Sequence, residues 1–291
     1  MTSAAQPRVA LTGASGFLGR HIDAALRRSG CDVHVIDRGV LTAPDDVLDA
    51  ALHAAGDIDV IVHLAAAGVS PKPATPETLL AVNIELPARL VAAAARTGVA
   101  HLIMAGTAAE YGASADEHAH LSADAPLRPT SPYARSKAIG FAAAVDAARE
   151  LAVVFDHLRV FNAFGPGQDA RALWPALHAA AARGTDLELS SGTQVRDFIP
   201  VGAVADVFTA LVLHPYPQPD ARPGVRVRNV GTGGGTSVQR FAEQWWEHWG
   251  ATGTLRLGAI PDREDEPRRM VADDGTVVAV TGPIDVDRTW P

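Results

Sequence analysis

The sequence predicts an α/β fold, a doubly wound parallel sheet followed by a smaller C-terminal substrate-binding region. Three observations carry that expectation. A glycine-spaced turn, Gly13-Ala14-Ser15-Gly16-Phe17-Leu18-Gly19, joins an apolar run to a helical pattern. A second apolar run follows the helix and ends in Asp37. Runs at 58–64, 100–105 and 153–160 are largely apolar, as strands buried on both faces should be.

The first unit reads as strand, tight turn and helix. The run through Val9 and Leu11 is the strand, and Phe17, Leu18, Ile22, Ala25 and Leu26 recur at helical spacing. Gly13 and Gly16 let the backbone turn sharply beside a ligand, and Gly19 lets helix and strand pack closely. The open amides of the helix start favour a pyrophosphate. A glycine pattern alone also fits an ordinary strand-to-helix turn. The strand that follows, ending in Asp37 where an acid reaches a ribose hydroxyl, favours a dinucleotide. Asp37 repels a 2′-phosphate and so selects NAD, while Arg38 beside it would attract that phosphate and keeps NADP open.

Composition narrows the class. A chain of 291 residues, 47% hydrophobic and 20% charged, suits one or two globular domains. A net charge of -8 argues against a nucleic-acid partner. Cys31 stands alone, so no internal disulfide forms and a reducing, cytoplasmic setting is expected; the thiol itself reads as a small buried side chain. No apolar run reads as long enough to span a bilayer, and no signal-peptide core precedes the first strand. The eleven histidines are scattered, so no metal site is expected.

After Asp37 the chain is short of a helix and a strand: residues 38–55 hold a brief Val40-Leu41 and one helical pattern from Pro44. The strand at 58–64 runs into small residues, where Leu64, Ala65 and Ala66 let a cofactor lie against the strand end or simply pack closely. Residues 75–98 form a helix with Gly98 as its stop and a kink expected at Pro87. Asn83 within it either holds backbone groups or water near the cofactor or faces solvent. The strand at 100–105 leads to Thr107, whose hydroxyl either meets a substrate oxygen or satisfies a turn.

In Ser131-Pro132-Tyr133-Ala134-Arg135-Ser136-Lys137, Ser131 caps a helix and Pro132 takes its first position. Tyr133 and Lys137 then lie one turn apart on one face. Only Lys72 and Lys137 occur in the chain, and chance gives about 0.02 such pairs, so coincidence is a poor explanation. The alternative is a surface tyrosine covered by a lysine stem. As chemistry, the pair is acid–base: a free phenol ionises near pH ~10, and an ammonium with a positive nicotinamide brings it toward working pH.

The strand at 153–160 ends in Phe161 and Asn162, and beyond it prolines multiply and elements shorten. Residues 1–165 are expected to form the dinucleotide-binding domain. Residues 166–291 form mainly the substrate region, with segments near 196–214 and 226–232 returning to the first domain. Arg196 precedes a helix through Val204 and Leu213. Trp245, Trp246 and Trp249 read as core rather than a sugar platform. Arg263 lies in an acidic run that would otherwise be a solvated loop.

Thr-Gly-Ala-Ser-Gly-Phe-Leu-Gly, His63-Leu64-Ala65-Ala66, Tyr133 with Lys137, and Leu158-Arg159-Val160-Phe161-Asn162 resemble the extended short-chain dehydrogenase/reductases. More narrowly, from Val9 to Asp273 the chain resembles their NAD-dependent epimerase/dehydratase group, which acts on nucleotide sugars. The resemblance implies a Rossmann-like sheet. It implies that Thr107 and Tyr133 are catalytic, with Lys137 lowering the Tyr133 pKa and holding the nicotinamide ribose. Asp37 would bond the adenosine ribose, Asn83 and Phe161 would sit beside the cofactor, and Asn162, Arg196 and Arg263 would bind the substrate diphosphate. A homodimer through the helices at 75–98 and 132–151 is also implied.

Three departures matter. The acid usual near the adenine is replaced around Val40–Thr42, and Gly106 stands where a serine is common. Ala108 and Ala109 replace the Asp-Glu that dehydratases carry after the catalytic threonine, which disfavours dehydration. The leading expectation is a nucleotide-sugar epimerase with tightly held NAD, and the alternative a keto-deoxy-sugar reductase. A non-catalytic dinucleotide sensor is a third, against which the intact Tyr133/Lys137 pair weighs.

Overall fold

Six parallel strands form the central sheet, in the order β2 (Asp32–Ile36), β1 (Arg8–Thr12), β3 (Val60–His63), β4 (His101–Thr107), β5 (Val154–Val160) and β9 (Val225–Val230). The computed structural model describes residues 6–69, 74–214, 224–263 and 266–273. Lys72, and Glu264 and Asp265 of the acidic run, lie outside the described residues.

Strand β1 (Arg8–Thr12) feeds helix α1 (Phe17–Arg28), and β2 (Asp32–Ile36) pairs with β1 in parallel. Two helices follow, the short α2 (Arg38–Leu41) and α3 (Asp45–Ala54), before β3 (Val60–His63) pairs with the other side of β1. With no strand between β2 and β3 in the chain, β2 becomes the sheet edge, as the shortened segment implies. Strand β3 is shorter at both ends than the apolar run, because Ile58 is buried in the approach and Leu64 already belongs to the exit turn.

The helix expected over 75–98 is interrupted ahead of Pro87. Helix α4 (Pro76–Leu79) passes into a π-helical stretch, Leu80–Glu85, and then into α5 (Leu86–Thr97). Pro87 has no N–H to give the Asn83 carbonyl one turn earlier, and the helix widens into the π stretch just ahead of the proline. Gly98 ends α5 at φ 80, the left-handed conformation a glycine stop supplies. By length and composition, Pro76–Thr97 is apolar enough to cross a membrane, which corrects the expectation that no run is. Its Leu86, Leu90, Val91, Ala93 and Ala94 are packed in the core.

Strand β4 (His101–Thr107) leads through a 3-10 turn, Ala108–Glu110, and a loop to helix α6 (Pro132–Glu150). Strands β5 (Val154–Val160) and β6 (Asn162–Phe164) follow, then helix α7 (Leu173–Arg183) and the short β7 (Leu187–Glu188). Strand β8 (Val195–Pro200) runs straight into helix α8 (Val201–Leu213), and β9 (Val225–Val230) closes the sheet beside β5. After β10 (Gly235–Ser237) come helix α9 (Val238–His248), β11 (Leu255–Arg256) and β12 (Arg269–Met270).

Strand alternation divides the core. Strand β1 sends Val9 and Leu11 to the side where α1 and α8 supply Ile22, Leu26, Val204 and Phe208. It sends Ala10 to the other side, where Leu90, Met104 and Ala144 lie with α5 and α6. A second small sheet, β10-β8-β12 with β6 paired to β8, carries Arg196. Trp245, Trp246 and Trp249 pack on the cluster of Phe164, Trp174, Leu177 and Phe241, as core rather than as an open platform.

Candidate active site

In an open α/β sheet, ligands lie beyond the carboxyl ends of the strands. Here β1 leaves Thr12 into Gly13, whose φ is +74. A Cβ on Gly13 would lie 2.5 Å from the Ala65 nitrogen, so only glycine lets the turn seat on the exit of β3. A Cβ on Gly19 would stand 2.1 Å from the Gly13 oxygen. Gly19 therefore packs α1 onto the glycine turn itself, a more specific contact than the helix–strand packing expected of it. Gly16 caps α1 without a side-chain bond, and the first turn carries no acid. The positive helix end is left to an anion. Leu18 packs on the core behind it, and Phe17 sets its ring edge to His21 at 5.9 Å.

The exit of β3 is fixed from two directions. The Thr12 hydroxyl accepts from the Leu64 and Ala65 amides at 3.2 and 3.3 Å and meets His63 Nδ1 at 2.7 Å. Burial, aided by the Lys137 charge, holds the His63 pKa down at about 3, so the ring is neutral. Asn83 is buried and not on a solvated face. Its Oδ1 accepts from Ala67 N at 2.8 Å, and its Nδ2 donates to Ala67 O and Ser136 Oγ, both at 2.9 Å. It thus clamps the backbone just after Ala65 and Ala66. Asp37 and Arg38 are exposed beyond the end of β2, three strand spacings, or about 14 Å, from β4.

Thr107 ends β4 and caps the 3-10 turn: its side chain accepts from Ala109 N at 3.3 Å, and Glu110 Oε1 accepts its amide at 3.0 Å. Ser131 Oγ accepts from Ala134 N at 3.1 Å with Pro132 at the helix start, which sets the entry of α6. Tyr133 is thereby brought to hydrogen-bonding contact with Thr107. Burial and the Glu110 carboxylate push the Tyr133 phenol up, outweighing the Thr107 bond. The Lys137 Nζ is occupied elsewhere, donating to Ala105 O at 2.8 Å, and burial lowers its own pKa.

A cavity of about 520 Å³ opens beside Thr107 and is walled by Ala109, Phe161, Asn162, Arg196 and Arg263. The expected substrate residues therefore share one space with Thr107. Arg196 also contacts Glu266, Nη2 to Oε1 at 2.9 Å, and donates to Val195 O at 2.8 Å. Glu266, Glu110 and His63 are the residues of this region that sequence reasoning missed. For His63 the signal was its place within the His63-Leu64-Ala65-Ala66 match.

The residues present fit a dinucleotide: a glycine turn that a Cβ would fill, an uncapped helix start, an exposed acid beyond β2 and a buried ammonium beneath the β4 exit. The model of the NAD dependent epimerase/dehydratase family matches residues 9–231. A UDP-glucose 4-epimerase of Azospirillum brasilense is 28% identical, over 93% of this chain and 85% of its own. A dTDP-6-deoxy-L-talose 4-dehydrogenase (NAD(P)(+)) of Kitasatospora kifunensis is 30% identical, over 89% and 84%. The solved structure of MoeE5 in complex with UDP-glucuronic acid and NAD superposes with a TM-score of 0.78 at 28% identity, covering 94% of this chain and 92% of its own.

Proposed function

The chain belongs to the NAD dependent epimerase/dehydratase family, and we propose that it is a nucleotide-sugar 4-epimerase working with bound NAD. The observation that carries this reading is the shared cavity, with Thr107, Asn162, Arg196 and Arg263 together in its wall and Tyr133 acting through its contact with Thr107. Two arginines and the Asn162 amide suit a diphosphate. The Gly13–Gly19 turn would hold the cofactor pyrophosphate, Asp37 the adenosine ribose and Lys137 the nicotinamide ribose. NAD, when bound, supplies the acceptor and donor of hydride.

Tyr133 removes the proton from the sugar hydroxyl, and Thr107 bonds the same oxygen. Once the keto sugar has turned in the cavity to present the other face of its carbonyl carbon for reduction, Tyr133 returns the proton to the carbonyl oxygen. Ala108 and Ala109, where a dehydratase carries its acid and base, have no proton to exchange. Dehydration is therefore outside the reading. The single cysteine fits a reducing compartment such as the cytoplasm. A homodimer through the helices at 75–98 and 132–151 is part of the proposal, supported by exposed Leu80 and Ile139 on them. Light scattering at micromolar concentration should give twice the monomer mass, and monomer alone would count against it.

A second reading, reduction of a dTDP-linked keto-deoxy sugar, is favoured by the dehydrogenase relative. One experiment separates the two. Purified protein is denatured to release its ligand, and intact protein is incubated with UDP- and dTDP-hexoses. The epimerase reading expects retained NAD and the C4 epimer with no net change in cofactor. Cofactor-free protein that oxidises reduced nicotinamide with a keto-deoxy sugar would overturn it.

A further inference from the structure

Behind the Thr107–Tyr133 pair, Glu110, His157 and Arg159 are buried together, with 0%, 0% and 2% exposure. Glu110 Oε2 accepts from His157 Nε2 and from Arg159 Nε, each at 2.9 Å, while Oε1 takes the Thr107 amide at 3.0 Å. Arg159 is held in turn by Tyr111 Oη at 3.1 Å and Ala123 O at 2.8 Å. The His157 ring stacks on Phe141 of α6 at 4.2 Å. Gly106 makes room for all of this: a Cβ there would lie 2.3 Å from His157 Nε2 and 2.8 Å from Glu110 Oε1. A three-residue turn needs no buried carboxylate to close it, and burying charge is costly. The cluster therefore does more than cap a turn.

We propose that Glu110 is a positioning residue: seated on His157 and Arg159, it fixes Thr107 against Tyr133 and provides the buried counter-charge for Lys137. This rests on the reading of Thr107, Tyr133 and Lys137 as the reacting set. Burial alone would raise the Glu110 pKa, but the His157 hydrogen bond and the charges of Arg159 and Lys137 bring it down to about 2, so the carboxylate stays charged, while burial lowers the pKa of His157 itself. That charge supports the Lys137 ammonium against burial and raises the Tyr133 phenol. The other titratable groups facing the cluster are Tyr111, with a phenol pushed up by burial, and His63, neutral beside Lys137.

Titrating phenolate absorbance in the NAD-loaded protein, where the positive nicotinamide ring favours the phenolate, tests this without substrate. Subtracting Tyr133→Phe from the parent isolates the Tyr133 signal, and the same subtraction is made in a Glu110→Gln background. Loss of the neighbouring negative charge should move the Tyr133 midpoint about one pH unit lower. An unchanged midpoint would overturn the proposal. Should Glu110→Gln fail to fold with Arg159 left unpaired, Glu110→Gln/Arg159→Met removes the pair together and must still show a downward, though smaller, move, because Glu110 is the charge that acts on the phenol. A chain inactive on every nucleotide sugar would count against the proposed reaction and leave this titration readable.

Discussion

Lys137 Nζ donates to the Ala105 carbonyl at 2.8 Å, tying the first turns of α6 to the last turn of the strand that presents Thr107. The ammonium is buried, with the Glu110 charge holding its proton against desolvation. Lys137→Met removes both the tie and the charge. It should lower turnover at least as far as loss of the Tyr133 hydroxyl, and weaken NAD as well. Equilibrium dialysis with NAD checks the second effect; unchanged affinity would remove Lys137 from the cofactor site.

Tyr133→Phe deletes one oxygen and leaves α6 intact. NAD and nucleotide sugar should bind as before while turnover falls by about 10²–10⁴, the range of general acid–base assistance. Single-turnover measurement with saturating sugar separates this from a binding defect.

Arg196 lies in the cavity wall with Glu266 against its guanidinium at 2.9 Å. A substrate diphosphate would engage the same group. Arg196→Ala should raise the KM for the nucleotide sugar about tenfold or more, as loss of a charge-assisted bond predicts, with a smaller effect on kcat. A fall in kcat at constant KM would move Arg196 from binding to the chemical step.

His63 gives the fold a defined acid sensitivity. Its folded pKa is near 3 against an ordinary 6.5, so the unfolded chain takes the proton first. The associated stability is complete above pH 6.5 and falls as pH drops toward 3. At about 1.4 kcal/mol per pH unit, pH 5 should cost about 2 kcal/mol from this group. Urea unfolding at pH 7 and pH 5 should show that loss in the parent and a smaller one in His63→Asn. Equal losses in both would mean that His63 does not titrate as described.

What was legible in the sequence was local. The glycine turn, the largely apolar strands and the one-turn spacing of Tyr133 and Lys137 each depend on neighbours a few residues apart. The π stretch was not legible. Proline removes a donor, but where the helix yields is settled by α6, whose Gly140 packs on Asn83: a Cβ there would stand 1.8 Å from the Asn83 oxygen. Glu110 was missed because its partners His157 and Arg159 are 47 and 49 residues away. Between small residues and a tyrosine, a glutamate reads as part of a solvated loop. Glu266 was missed likewise, within an acidic run whose only legible feature was its charge.

Epimerisation would return the hydride to the same sugar that gave it. Protein as purified, without added cofactor, is incubated with a UDP-hexose deuterated at C4, and the recovered sugars are examined by mass spectrometry and NMR. The account predicts the C4 epimer with its deuterium retained and no accumulation of reduced nicotinamide. Reduced cofactor accumulating in step with a keto sugar, or an epimer that has lost its label to solvent, would contradict it.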